Sequence, residues 1–127
     1  MGFIVYNPNP TGRSVGDCLI RAVTKFLDKS WNEAYIDMAL QGLRDKDMPS
    51  SNAVLGSYLR RRGYDKVVVP DGCPDCYTLR DFCEDHPNGK YLVATSGHVV
   101  TVVDGNYYDT WDSGSEVPIY YWKRGEV

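Results

Sequence analysis

The residues of this chain best equipped for covalent or proton-transfer chemistry are four cysteines, Cys18, Cys73, Cys76 and Cys83, and two histidines, His86 and His98. Cys18 stands in the stretch Gly16-Asp17-Cys18-Leu19-Ile20-Arg21-Ala22-Val23, and apolar residues continue at Phe26 and Leu27 with helical spacing. It therefore falls in the first turn of an amphipathic helix, where unpaired backbone N–H groups and the helix dipole stabilise an anion and lower a thiol pKa. Cysteine also packs as a small buried hydrophobe, so position alone does not make a nucleophile. A nucleophile needs a histidine to take its proton and a third group to hold the imidazole.

His98 opens the run His98-Val99-Val100-Thr101-Val102-Val103, directly after Ser96-Gly97, whereas His86 lies in the polar turn Glu84-Asp85-His86-Pro87-Asn88-Gly89. Asp104-Gly105 then separates two β-type runs, a strong hairpin signal because both positions of the favoured two-residue turn need positive φ. That turn pairs Val103 with Asn106, Val100 with Asp109 and His98 with Trp111. Residues two apart on a strand share a face, so His98, Asp109 and Trp111 project to one side, with Asp109 the diagonal neighbour of His98 and Trp111 placed to cover both. Asp112 points the other way. A three-residue loop through Asn106 would instead set Asp112 opposite His98.

The remaining thiols form a second pattern. Cys73-Pro74-Asp75-Cys76, then Cys83 and His86, spell C-x2-C-x6-C-x2-H, a set with the residue types of a tetrahedral zinc site. Against it, Cys83 falls beside Leu79 and Phe82 on the apolar stripe of a short helix, where core packing already accounts for it. Cys73 and Cys76 are expected to shape a turn as free thiols, and neither a metal nor another cofactor is expected.

The elements that must position Cys18, His98 and Asp109 are legible in outline. Residues 3 to 6 suit a short strand leading into the turn-rich Asn7-Pro8-Asn9-Pro10-Thr11-Gly12. After the Cys18 helix, Ser30-Trp31-Asn32-Glu33 is a capping box opening a helix that carries Ala34, Tyr35, Met38, Ala39 and Leu43 and ends near Arg44. Ser50 or Ser51 caps a third helix with Val54, Leu55, Tyr58 and Leu59 as its buried stripe and Gly63 as its stop. Strands are expected over Val67–Val69, Tyr91–Ala94, the two arms of the hairpin and Val117–Trp122, with a short capped helix over Thr78–Cys83. Helices in the first half followed by a small antiparallel sheet make the chain α+β, a single domain over residues 1–127.

Charge excludes some functions. Fourteen basic and 17 acidic side chains are scattered along the chain, which does not describe a nucleic-acid surface. The one basic run, Arg60-Arg61-Arg62, reads as a helix C-terminus whose cations complement the dipole. Nothing approaches the length of a membrane span, and Met1-Gly2-Phe3-Ile4-Val5-Tyr6 lacks the features of a signal peptide, so a cytoplasmic protein without membrane partners is expected. Oligomeric state is not encoded in any motif.

A cysteine opening the first long helix, a histidine starting a strand, and Asp109-Thr110-Trp111 on the next strand resemble the order of parts in papain-like cysteine proteases, whose acid or amide is likewise followed by a small hydroxyl residue and Trp. Asp17-Cys18 is similar to the pair in bacteriocin-leader peptidases of that superfamily, and Gly16-Asp17-Cys18-Leu19 with Arg21-Ala22 resembles the nucleophile motif of OTU-type deubiquitinases. Taken whole, the chain resembles short papain-like proteins encoded by bacteriophages and prophages. The resemblance implies a papain-like fold and a Cys18-His98-Asp109 triad that cleaves a peptide, isopeptide or other amide bond in a protein or peptide substrate. It departs from the family at Gly12, six residues before the cysteine, where many members carry an oxyanion-binding Gln. The oxyanion donors left are the Cys18 backbone N–H and a loop amide, Asn9 in preference to Asn7. The alternative is a non-catalytic phage or prophage binding protein that keeps the scaffold and acts on a host protein.

Overall fold

The computed structural model of the protein describes residues 2–125. In chain order the elements are β1 (Gly2–Val5), α1 (Cys18–Leu27), α2 (Trp31–Asp45), α3 (Asn52–Arg61), β2 (Tyr64–Val68), α4 (Leu79–Asp85), β3 (Lys90–Thr95), β4 (His98–Val103), β5 (Asn106–Asp109) and β6 (Tyr120–Arg124). The six strands form one sheet in the order β1-β5-β4-β3-β6-β2. The chain is thus α+β, but the sheet is mixed rather than antiparallel. β1 runs parallel to β5, from Gly2 opposite Asn106 to Val5 opposite Asp109. The reason is connectivity: four helices and three further strands intervene between β1 and β5, and so long a crossover can bring the chain back parallel, which a short turn cannot.

Strand alternation divides the interior between the two faces of the sheet. Leu92, Ala94, Val99 and Trp122 pack against Leu19, Ile20, Val23 and Phe26 of α1 and the inner residues of α2 and α3. Val93, Val100, Val102 and Tyr107 face the other way, onto Leu79, Phe82 and Cys83 of α4. At ten residues α1 is too short to persist alone. It is held by its buried face, and Thr101 of β4 adds a hydroxyl hydrogen bond of 2.7 Å to the Ala22 carbonyl.

Caps place the helix ends. Ser30 and Glu33 form a reciprocal capping box at α2, Ser51 accepts from the Ala53 N–H at α3, and Thr78 with Asp81 closes a second box at α4. α2 differs from its expected stripe. Ala34, Met38, Gln41 and Gly42 are buried, whereas Tyr35 and Leu43 are exposed. Residues 34, 38, 41 and 42 are the set at i, i+4, i+7 and i+8, and Gln41 joins them because it bonds Asp45 and Arg61. The basic run ends α3, with the Arg62 guanidinium 3.6 Å from the Tyr58 ring centroid and that of Arg60 5.2 Å from the Trp122 ring centroid. β2 and β6 are displaced from Val67–Val69 and Val117–Trp122 because they pair with each other, Tyr64 opposite Arg124 through Val68 opposite Tyr120.

The hairpin that matters for the site has the two-residue register. Val103 pairs with Asn106, Val102 with Tyr107 and Thr101 with Tyr108, and both Asp104 (φ 50°) and Gly105 (φ 78°) take the left-handed conformation the turn requires.

Candidate active site

Four elements converge at one end of the sheet. β1 ends beside Asp109, with the Tyr6 N–H donating to the Asp109 carbonyl at 2.8 Å, and the following loop leads directly into the first turn of α1. Cys18 there is half-buried, with Asp17 as its N-cap. β4 begins with His98, and the register of the hairpin carries β5 to Asp109.

His98 Nε2 lies 2.6 Å from Asp109 Oδ2. With Nε2 so engaged, Nδ1 is the nitrogen left to meet the Cys18 thiol. Trp111 lies over the ring at a centroid distance of 4.9 Å. Burial disfavours a charged His98, but hydrogen bonds to Asp109 and Cys18 and the negative charge of both outweigh it and push the imidazole up to about 9. Burial likewise disfavours a charged Cys18. The His98 hydrogen bond, the Val99 backbone N–H and the positive charges of His98 and Arg21 outweigh that and hold the thiol below its ordinary value. The two shifts run in opposite directions, toward the imidazolium and toward the thiolate, the charged forms that a thiol nucleophile uses.

Asp109 is fully buried and its carboxylate is saturated. Oδ1 accepts from Arg21 Nη2 at 3.0 Å and the Thr110 N–H at 2.8 Å, and Oδ2 accepts from Ser113 Oγ at 2.7 Å besides His98. Burial raises its pKa, yet these donors together keep it below the usual carboxylate range. Asp112 lies elsewhere. It is exposed, paired with Arg80 at 3.1 Å, and accepts from the Tyr107 hydroxyl and the Gly114 N–H.

Asn9 makes no hydrogen bond to Cys18 or His98. Its Oδ1 accepts from the Thr11 N–H and hydroxyl, at 2.9 and 2.8 Å, and its Nδ2 has no partner among the described residues. Asn7, by contrast, spends its Nδ2 on the carbonyls of Gly12 and Arg13, which folds the loop.

The other cysteines do not assemble a ligand set. Cys73 and Cys76 are joined in a disulfide, correcting the expectation of two thiols: a separation of three residues in a tight turn holds their Cα atoms 4.1 Å apart. Cys83 is buried against α4's own core partners, and the His86 ring stacks on Phe82 at 3.9 Å. Among the described residues no group of three or more His, Cys, Asp or Glu side chains is gathered for a metal. No described helix is long and apolar enough to cross a membrane.

Two clefts bear on substrate access. One of about 390 Å³ is lined by Val15, Gly16, Leu19, Ile20, Trp31 and Tyr35, on both sides of Cys18 in sequence. A larger one of about 430 Å³ surrounds Val68, Tyr77, His86 and Tyr121; neither cleft is lined by Cys18 or His98, and the first lies nearer Cys18 in sequence. Sequence reasoning missed the roles of Arg21 and Ser113. An arginine set between Ile20 and Ala22 in a buried helix is itself a signal, because a buried guanidinium requires carboxylate partners.

Family models, curated proteins and solved structures all return no match to this chain. The geometry must therefore carry the functional argument.

Proposed function

We propose that the protein is a thiol-dependent hydrolase of papain-like architecture, cleaving a peptide, isopeptide or other amide bond. The observation that carries this reading is His98, opening β4 with its Nε2 held at 2.6 Å by the buried Asp109, with Cys18 opening α1 as the thiol that the His98 ring lowers. The Cys18 thiolate attacks the substrate carbonyl carbon and forms a C–S bond. The Cys18 backbone N–H and the free Asn9 amide are the donors for the oxyanion, in place of the Gln that Gly12 replaces. As the tetrahedral species collapses, the C–N bond breaks and the His98 imidazolium protonates the departing nitrogen, leaving a thioester. Water then attacks the thioester with His98 taking its proton, and the C–S bond breaks to release the acid and the thiolate. An apolar side chain on the acyl side would sit in the cleft formed by Leu19, Ile20, Trp31 and Tyr35.

Electrophilic peptide and ubiquitin-like probes test the reading. Mass mapping should find one adduct, on Cys18, that disappears in His98→Ala. A folded protein that no probe labels at Cys18, or whose labelling survives loss of His98, would remove the support for it.

A further inference from the structure

A five-member hydrogen-bonded chain runs behind the candidate site. Trp31 Nε1 donates to Asp17 Oδ2 at 2.9 Å, Asp17 Oδ1 accepts from Arg21 Nη1 at 2.6 Å, Arg21 Nη2 reaches Asp109 Oδ1 at 3.0 Å, and Asp109 Oδ2 holds His98. Asp17, Arg21 and Asp109 are all buried, at 7, 4 and 0 % exposure. Signs alternate from Asp17 through Arg21, Asp109 and His98 to the Cys18 thiolate.

Burying three charged groups in a domain of this size costs several kcal/mol each unless they pair well, and apolar side chains of similar volume would pack α1 at least as stably. The arrangement does something packing cannot. Arg21 uses its two terminal nitrogens on two different elements, the N-cap of the nucleophile's helix and the carboxylate on β5 that orients the imidazole. A planar guanidinium fixes both at set directions, which a lysine ammonium would not do.

We infer that Arg21 is a positioning residue that locks the start of α1 to the His98-holding strand and, with Asp17, sets the pH range over which Cys18 is ionised. This rests on the reading of Cys18 as a nucleophile. The charges acting on the thiol are His98 from β4 and Arg21 from α1; Asp17, next to Cys18 in sequence, and Asp109 of β5 are bonded to those two groups, and α2 adds the neutral Trp31 indole on Asp17. Removing the Arg21 cation withdraws a neighbour that favours the thiolate, whereas removing the Asp17 anion withdraws one that opposes it. The two changes must move the thiol in opposite directions.

The test is the pH dependence of Cys18 alkylation by iodoacetamide in folded wild type, Arg21→Gln, Arg21→Lys and Asp17→Asn. The expected result is that Arg21→Gln raises the acid limb by about one pH unit, a tenfold loss of rate below it. Arg21→Lys should return the limb most of the way while lowering the plateau, and Asp17→Asn should lower the limb. A purely structural role would depress thermal midpoints and leave the limb where it stands. Limbs of Arg21→Gln and Asp17→Asn that coincide with wild type, or that move in the same direction, overturn the inference. Should Arg21→Gln fail to fold, Asp17→Asn decides alone: a limb lowered supports the inference and a limb unmoved or raised overturns it. Failure of the underlying reading looks different, because wild type itself would then show no limb below that of an ordinary thiol.

Discussion

Replacing Asp109 by Asn separates the electrostatic work of this residue from its packing. Asn keeps an acceptor for Arg21 and for the Thr110 N–H, so the guanidinium is not orphaned, whereas Ala would leave it buried without that partner at a cost of about 3–5 kcal/mol. In that orientation the Asn amide nitrogen faces His98 and Ser113, whose hydroxyl can rotate to accept. His98 can pair with an N–H donor only through an unprotonated Nε2, which puts its proton on Nδ1, the side that must accept from the thiol. The carboxylate's charge is lost as well. Burial then acts on His98 without its main opponent, and the pKa should fall from about 9 to 6.5 or lower. A drop of 2.5 units corresponds to about 3 kcal/mol of imidazolium stabilisation. With the imidazolium depleted at neutral pH, the thiol returns toward its ordinary range, so both the thiolate fraction and the rate of Cys18 alkylation fall. Proton NMR titration of the His98 ring, with alkylation rates on the same samples, measures both. A His98 midpoint that stays near 9 in Asp109→Asn would refute the reasoning.

Other outcomes follow from the same geometry. Asp112→Ala removes only exposed partners, so Cys18 alkylation should stay within about twofold of wild type by mass-mapped kinetics. Under non-reducing conditions iodoacetamide should modify Cys18 and spare Cys83, whose thiol burial pushes up to about 11, and Cys73 and Cys76 should react only after reduction. Stability should fall at both pH extremes, as thermal midpoints by circular dichroism will show. The raised His98 contributes stability that is full below its unfolded value of 6.5 and lost as pH rises through about 9. The depressed Cys18 works oppositely between its folded and unfolded values, flattening the middle range, and the depressed Asp109 loses its contribution as pH falls through its folded value. A midpoint that climbs from pH about 8.5 to 10 would contradict this.

What could be read from the sequence was local. Asp104-Gly105 dictates its own turn, the turn dictates the register, and the register alone separates Asp109 from Asp112. Ser30 with Glu33 marks a helix start because both partners of the box lie three residues apart. What could not be read depends on distant partners. The parallel docking of β1 on β5 joins residues more than a hundred positions apart, such as Gly2 and Asn106, and no pattern in Gly2–Val5 names that neighbour. The exposure of Tyr35 and Leu43 is decided by which side of α2 meets α1 and α3. Arg21 stood in view beside Cys18, but its second carboxylate arrives from a strand 88 residues later. The Cys73–Cys76 bridge needs a backbone geometry that the spacing permits without requiring.

The central claim is that the Asp109-held His98 imidazolium favours the thiolate of Cys18. Ultraviolet thiolate absorbance, recorded across pH as the difference between wild type and Cys18→Ala, tests it most directly. The account predicts that the thiolate signal rises below the range of an ordinary cysteine, and that His98→Ala moves it back up. A wild-type difference signal that emerges only as pH passes about 8.5, the range of an ordinary cysteine, would contradict it.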